Sequence, residues 1–188
     1  MRCPYCQLPL PAADSEECPS CRLSFPRTCS LEGALPRLSP KIADTAKLLT
    51  TSDLSKLKDR IQEIEYRFPE IHLQLVLHRF PAEHPFSLHV FWLFNAAAFA
   101  GDKQRGNENR AILIALDPVR RESAIMPGYG LEAFLNEETI GHVLDLAAPA
   151  WSRGQWAKGF LQVLNGLDAQ LERIGISATS DALSTGDY

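Results

Sequence analysis

From Thr50 onward, apolar residues recur at helical intervals. Leu54, Leu57, Ile61, Ile64 and Phe68 lie three or four positions apart, with charged and polar residues between them. This stripe predicts an amphipathic helix, and Thr50-Thr51-Ser52-Asp53 at its start has the spacing of a capping box. Beyond Pro69 the period drops to two, with Ile71, Leu73, Leu75 and Leu77 alternating against His72, Gln74, Val76 and His78. Residues 71 to 79 therefore read as a core strand, and Val76 on the second face predicts cover on both sides.

The stretch from Phe86 to Phe99 fits both periods. Leu88, Val90, Trp92 and Phe94 alternate as in a strand, whereas Phe86, Val90, Leu93 and Ala97 share a helical face. Its length and the run Ala96-Ala97-Ala98 favour a helix. A polar loop, Gly101 to Arg110, then leads into the apolar run Ala111 to Leu116, a turn at Asp117-Pro118 and a second extended segment, Glu122 to Met126. This order predicts a β-hairpin. Two helices close the pattern. One covers about Glu137 to Ala148, and the other carries Phe160, Val163, Leu164, Leu167 and Leu171 on one stripe before Gly175 ends it. Residues 176–188 are small and polar and read as a flexible tail.

The first 40 residues show no such periodicity and hold seven of the 13 prolines, whereas all three tryptophans come later. The expected organisation is a cysteine-bearing module at 1–25, a linker at 26–40, an α/β domain at 41–175 and the tail. Interrupted by Pro26, Gly33, Pro36 and Pro40, residues 22–40 read as an irregular connector.

All five cysteines fall within the first 29 residues, and four form two C-x-x-C pairs: Cys3 with Cys6, and Cys18 with Cys21. Two such knuckles place four soft anionic ligands around one tetrahedral ion while backbone N–H groups point at the sulfurs. The spacing predicts a zinc ribbon in which the zinc is structural, because protein sulfurs fill every coordination position. Iron in a rubredoxin-like site is the rival, and colour on purification separates the two. A redox pair would need only one C-x-x-C, set within a βα unit. Cys29 stands apart and reads as a spare thiol in the connector, the alternative being a fifth, exchangeable ligand or a redox sensor. A module this short buries little core, so its folding is expected to depend on the metal.

Net charge is -4 and 45% of the residues are hydrophobic, which allows a sizeable core and gives no long-range attraction for nucleic acid or anionic lipid. With no apolar leader and no span long enough for a bilayer, the expectation is a cytoplasmic chain without a transmembrane segment. Clustered cysteines also suit a reducing compartment.

From Ile42 to about Leu171 the order of motifs resembles the TPM domain family. The residues that carry the resemblance begin with Ile42-Ala-Asp44-Thr-Ala46 and Phe94-Asn95. Asn107-Glu-Asn109-Arg-Ala-Ile-Leu-Ile-Ala-Leu116 and Gly128-Tyr-Gly130-Leu-Glu132 follow. Pro149-Ala-Trp151-Ser-Arg-Gly154-Gln-Trp156-Ala-Lys-Gly159 completes the series. The resemblance implies an α/β fold with a small central sheet sandwiched between helices. It also implies phosphatase activity and a divalent cation, calcium or magnesium, in a cleft at the loop ends of the sheet. Carried over by position, the cleft residues are Asp44, Asn107, Asn109, Gly128, Gly130 and Glu132. Three positions depart from the family pattern: Ala98-Phe99-Ala100-Gly101, Arg110 and Asn136.

Phosphoryl chemistry needs carboxylates for a divalent ion and an arginine or N–H groups for the phosphoryl oxygens. Asp44, Asp117 and Glu132 with Arg110 or Arg121 are the available set, against the simpler reading of a cap, a turn and solvated arginines. No H-x-x-x-H pair or G-x-S-x-G motif is present. The sequence therefore points first to a binding module with a structural zinc ribbon. Its partner would be another protein, or a second copy meeting the first through the ribbon. The alternative is a divalent-metal-dependent phosphatase.

Overall fold

Two periodicities, helical and alternating, meet in a four-stranded sheet flanked by helices. The computed structural model describes residues 2–11, 15–34, 38–96 and 110–184, with side chains described as far as residue 175. In chain order the elements are α1 (Phe25–Glu32), β1 (Ile42–Asp44), α2 (Thr51–Arg67), β2 (His72–Leu77) and α3 (Phe86–Ala96). After these come β3 (Ala111–Asp117), β4 (Glu122–Pro127), α4 (Glu137–Trp151) and α5 (Trp156–Ser184). The strands lie in the order β1-β2-β3-β4. β1 runs parallel to β2, with Ile42 opposite Leu75 and Asp44 opposite Leu77.

The chain divides into two compact units. The first comprises residues 1–46, 74–108 and 113–126. Its core joins Ala43, Val76, Phe80, Phe86, Val90, Leu93 and Leu113. α3 is helical as expected. It buries Phe86, Leu88, His89, Val90, Trp92 and Leu93, an arc of roughly 200° of its surface, with Ser87, Phe91 and Phe94 half-buried on the remainder, and so its sequence satisfies both periods. Both faces of β2 are buried from Leu73 to Leu77, as Val76 predicted.

The reading of residues 22–40 as irregular is corrected by α1. Ser24 caps it by accepting from the Arg27 N–H, and Pro26 sits in the first turn, where its missing N–H costs nothing. Gly33 ends it at φ 77, donating its N–H to the Cys29 carbonyl.

The second unit comprises residues 47–73, 109–112 and 127–188, with α5 packed along α4 and α2. The capping box of α2 is formed: Thr50 Oγ1 accepts from the Asp53 N–H, and Asp53 Oδ2 accepts from the Thr50 N–H at 3.0 Å. Those bonds, the Thr50 hydroxyl first among them, hold the Asp53 carboxyl below its ordinary range. Thr50→Ala removes the cap and is expected to lower the unfolding free energy by about 1 kcal/mol in a urea titration.

Leu57, Ile61 and Ile64 of α2 are buried, as is the α5 stripe Phe160, Val163, Leu164, Leu167 and Leu171. Asp168 of α5 lies against α2, accepting from Arg60 at 2.7 Å and from Arg67 at 2.8 Å. Two helix ends differ from the sequence reading. α4 continues through Pro149 to Trp151, since a proline in the last turn breaks only one hydrogen bond, and Ser152 still donates to Ala148. α5 runs past Gly175 to Ser184, because one helical glycine costs about 1 kcal/mol and does not by itself stop the ladder.

Candidate metal centre

The segments Cys3-Pro4-Tyr5-Cys6-Gln7-Leu8 and Cys18-Pro19-Ser20-Cys21-Arg22-Leu23 fold as two copies of one turn. In the first, the Cys3 N–H donates to the Leu8 carbonyl at 2.9 Å and the Gln7 N–H to the Cys3 carbonyl at 3.0 Å. In the second, the Cys18 N–H donates to Leu23 at 2.8 Å and the Arg22 N–H to Cys18 at 2.9 Å. Gln7 and Arg22 close the turns in the left-handed region, at φ 62 and φ 57. An arginine secures each closing carbonyl: Arg2 donates to Gln7, and Arg27 donates to Arg22 and Cys21.

These turns bring four sulfurs together, all within 4.8 Å of one another. Cys3 Sγ lies 3.6 Å from Cys21 Sγ, and Cys6 Sγ lies 3.7 Å from Cys18 Sγ. A tetrahedral ion with metal–sulfur bonds near 2.3 Å sets its ligand edges at about 3.8 Å, so the spacing suits one ion. Backbone amides of Cys6 and Tyr5 point at the Cys3 sulfur, and those of Cys21 and Ser20 at the Cys18 sulfur. With the Cys21 amide foremost, Cys18 is held at about 7, whereas burial raises Cys3 and pushes Cys21 up to about 12. Four thiols so close together shed their protons as a set only when a cation takes their place. Cys29 is not among them. It packs against the core cluster of the first unit.

The cysteine ribbon is docked within the first unit. Cys3, Cys18 and Leu23 form one buried cluster with Leu88 of α3. The Ser87 hydroxyl donates to the Pro4 carbonyl at 2.6 Å and accepts from Gln7 Nε2 at 2.8 Å. His89 Nδ1 meets Glu32 Oε2 at 2.6 Å, with both side chains almost wholly buried, and His89 Nε2 meets the Pro81 carbonyl at 2.9 Å. Neither Ser87, Leu88 nor Glu32 stood out in the sequence. The available signal was the repeated Cys-Pro-x-Cys-x-Leu pattern, whose two leucines differ in the fold: Leu8 is exposed and Leu23 is buried.

The residues carried over as a cleft come from separate segments of the chain. Asp44 ends β1 in the first unit and is half-buried. Gly128, Gly130 and Glu132 belong to the second unit, and Asn107 and Asn109 lie outside the described residues. The Gly128 amide donates to Ala111 at 2.8 Å, and turns occupy the chain until α4 begins at Glu137. Gly128-Tyr-Gly130 is therefore not a helix N-terminus. The helix starts instead from Asn136, whose side chain accepts from the Thr139 N–H, which gives that departure from the family pattern a capping role.

Asp117 is wholly buried and accepts from the backbone N–H groups of Phe80, Val119 and Arg120 at 2.8 to 2.9 Å. Its carboxylate holds the turns after β2 and β3. Arg110 is paired with Glu70, and Arg121 sits at φ 57 where the hairpin turn closes. His89 is a satisfied core histidine. Burial lowers His78, whose Nδ1 meets the Thr45 hydroxyl.

The fold and the site together define an α/β protein with an N-terminal cluster of four cysteines spaced to suit one metal ion. The TPM domain profile matches residues 42–170, and the chain belongs to the TPM domain family. Among solved structures, the N-terminal domain of a P. gingivalis protein is 22% identical, with a TM-score of 0.54 over 71% of this chain and 85% of that one. The N-terminal domain of a Corynebacterium glutamicum protein is 17% identical, with a TM-score of 0.51, over 73% and 87% of the two chains. The BA42 protein of the psychrophilic bacterium Bizionia argentinensis is 12% identical, with a TM-score of 0.57, over 69% and 86%. At these identities the likeness is one of fold. No curated protein matches the chain. Among the described residues, no helix is long and apolar enough to cross a membrane.

Proposed function

We propose that this chain is a cytoplasmic binding module whose ribbon holds one structural zinc ion. The observation that carries the reading is the closed tetrad: four protein sulfurs leave no coordination position for a substrate. Outside it, two of the side chains suited to phosphoryl transfer and one backbone amide are engaged elsewhere. Asp117 accepts three backbone N–H groups, Arg110 is paired, and the Gly128 amide is bonded. A protein partner or a second copy is favoured because the ribbon and α1 expose Tyr5, Leu8, Phe25 and Leu31.

Elemental analysis of the purified protein is expected to give one zinc per chain and no iron colour. A phosphatase assay with added Mg²⁺, Mn²⁺ or Ca²⁺ is expected to show no turnover attributable to Asp44 or Glu132. Turnover abolished by Asp44→Ala in a folded protein would establish the phosphatase reading instead. Light scattering of the full chain beside its Leu8→Glu variant tests whether the ribbon face joins two copies.

A further inference from the structure

We propose that metal occupancy of the cysteine tetrad governs the order of the first turn of α3, making the ribbon a metal-dependent clamp on the core of the first unit. The inference rests on the reading of the tetrad as a metal site and goes beyond it.

Three consecutive residues of α3 are gripped by what the metal organises. Ser87 exchanges two hydrogen bonds with the first knuckle, donating to the Pro4 carbonyl and accepting from Gln7. Leu88, 0% exposed, is covered by Cys3, Cys18 and Leu23, two of them tetrad residues. His89 is held by Glu32, the last residue of α1, and α1 springs from the second knuckle through the cap Ser24. At 3.6 residues per turn, three successive side chains sweep roughly 200° of the helix surface. The ribbon and α1 thus wrap more than half of that turn.

The same turn joins the larger core, where Phe86, Val90 and Leu93 pack with Phe80 and Leu113. A ribbon this short has too little apolar surface to keep its knuckles together once the ion leaves. The partners of Ser87 and the cover of Leu88 would leave with it. Linkage makes the effect reciprocal: whatever the metal contributes to the order of α3, α3 contributes to the affinity for the metal.

Hydrogen–deuterium exchange on the full-length protein tests this, with metal content measured alongside. On removal of the ion by a strong chelator, the amides of Leu88, His89 and Val90 are expected to lose at least tenfold in protection and to regain it when zinc is restored. Amides of α4 should hold steady. Leu88→Ala is expected to weaken metal retention against the chelator by roughly 5- to 150-fold. Ser87→Ala, which removes two hydrogen bonds and leaves the core intact, should act in the same direction and serves where Leu88→Ala fails to fold. Unchanged protection of α3 in metal-free protein, or wild-type metal retention in the folded variants, overturns the clamp. Protein that binds no metal at all overturns the tetrad reading beneath it.

Discussion

On the proposed reading of the tetrad, Cys18→Ser is expected to take bound metal from one per chain to near zero by elemental analysis. A serine hydroxyl does not ionise near neutrality and is a hard donor, so the variant loses both the charge and the softness that suit this site. The free energy at stake is large, since structural zinc contributes on the order of 10 kcal/mol in isolated finger peptides. Apart from the Leu88 cluster and the hydrogen bonds of the knuckles, residues 2–11 and 15–24 have little apolar packing to hold them. Their amide resonances are expected to collapse into the narrow range of unfolded chains. Cys29→Ser is the control: its thiol lies outside the tetrad, and metal content should not change.

The second large effect belongs to the second unit. A methyl group on Gly159 would fall inside the indole ring of Trp151, which is buried and donates from Nε1 to the Trp156 carbonyl at 3.2 Å. Phe160 holds that ring from the side, edge to face at 5.6 Å. An alanine replacing a helical glycine ordinarily stabilises by up to about 1 kcal/mol. Here overpacking reverses the sign, and Gly159→Ala is expected to destabilise by roughly 1–3 kcal/mol in urea unfolding. Trp151→Leu in the same chain should recover part of the loss, because the two sites share one contact. Gly141→Ala, with nothing near its added Cβ, should be neutral or stabilising. The spacing of Trp151, Trp156 and Gly159 along the sequence is thus a packing rule.

The legible elements were those whose physics is local or periodic. The capping box and stripe of α2, the two-faced burial of β2 and the apolar stripe of α5 followed from residue order alone. α1 was missed although its signals were present. Pro26 reads as a breaker by itself, yet at the head of a helix it is tolerated, and this two-turn helix buries little beyond Thr28. What fixes α1 is the Glu32–His89 pair, made across 57 residues of sequence.

The carboxylate of Asp117 shows the opposite difference. Asp117 could be read as a turn residue from Asp-Pro, but only the fold reveals that Phe80, 37 positions away, consumes one of its oxygens. A carboxylate's freedom depends on its partners, and those come from other segments.

For this protein the sequence by itself determined the clustering of four cysteines and the kind and order of most elements. C-x-x-C turns, caps and hydrophobic stripes are each set by residues within a few positions of one another. Tertiary structure alone decided that the ribbon docks on Ser87 and Leu88, that Glu32 meets His89, and that Gly159 must stay bare beside Trp151. Those outcomes depend on which distant side chains share a volume, and no local pattern encodes that.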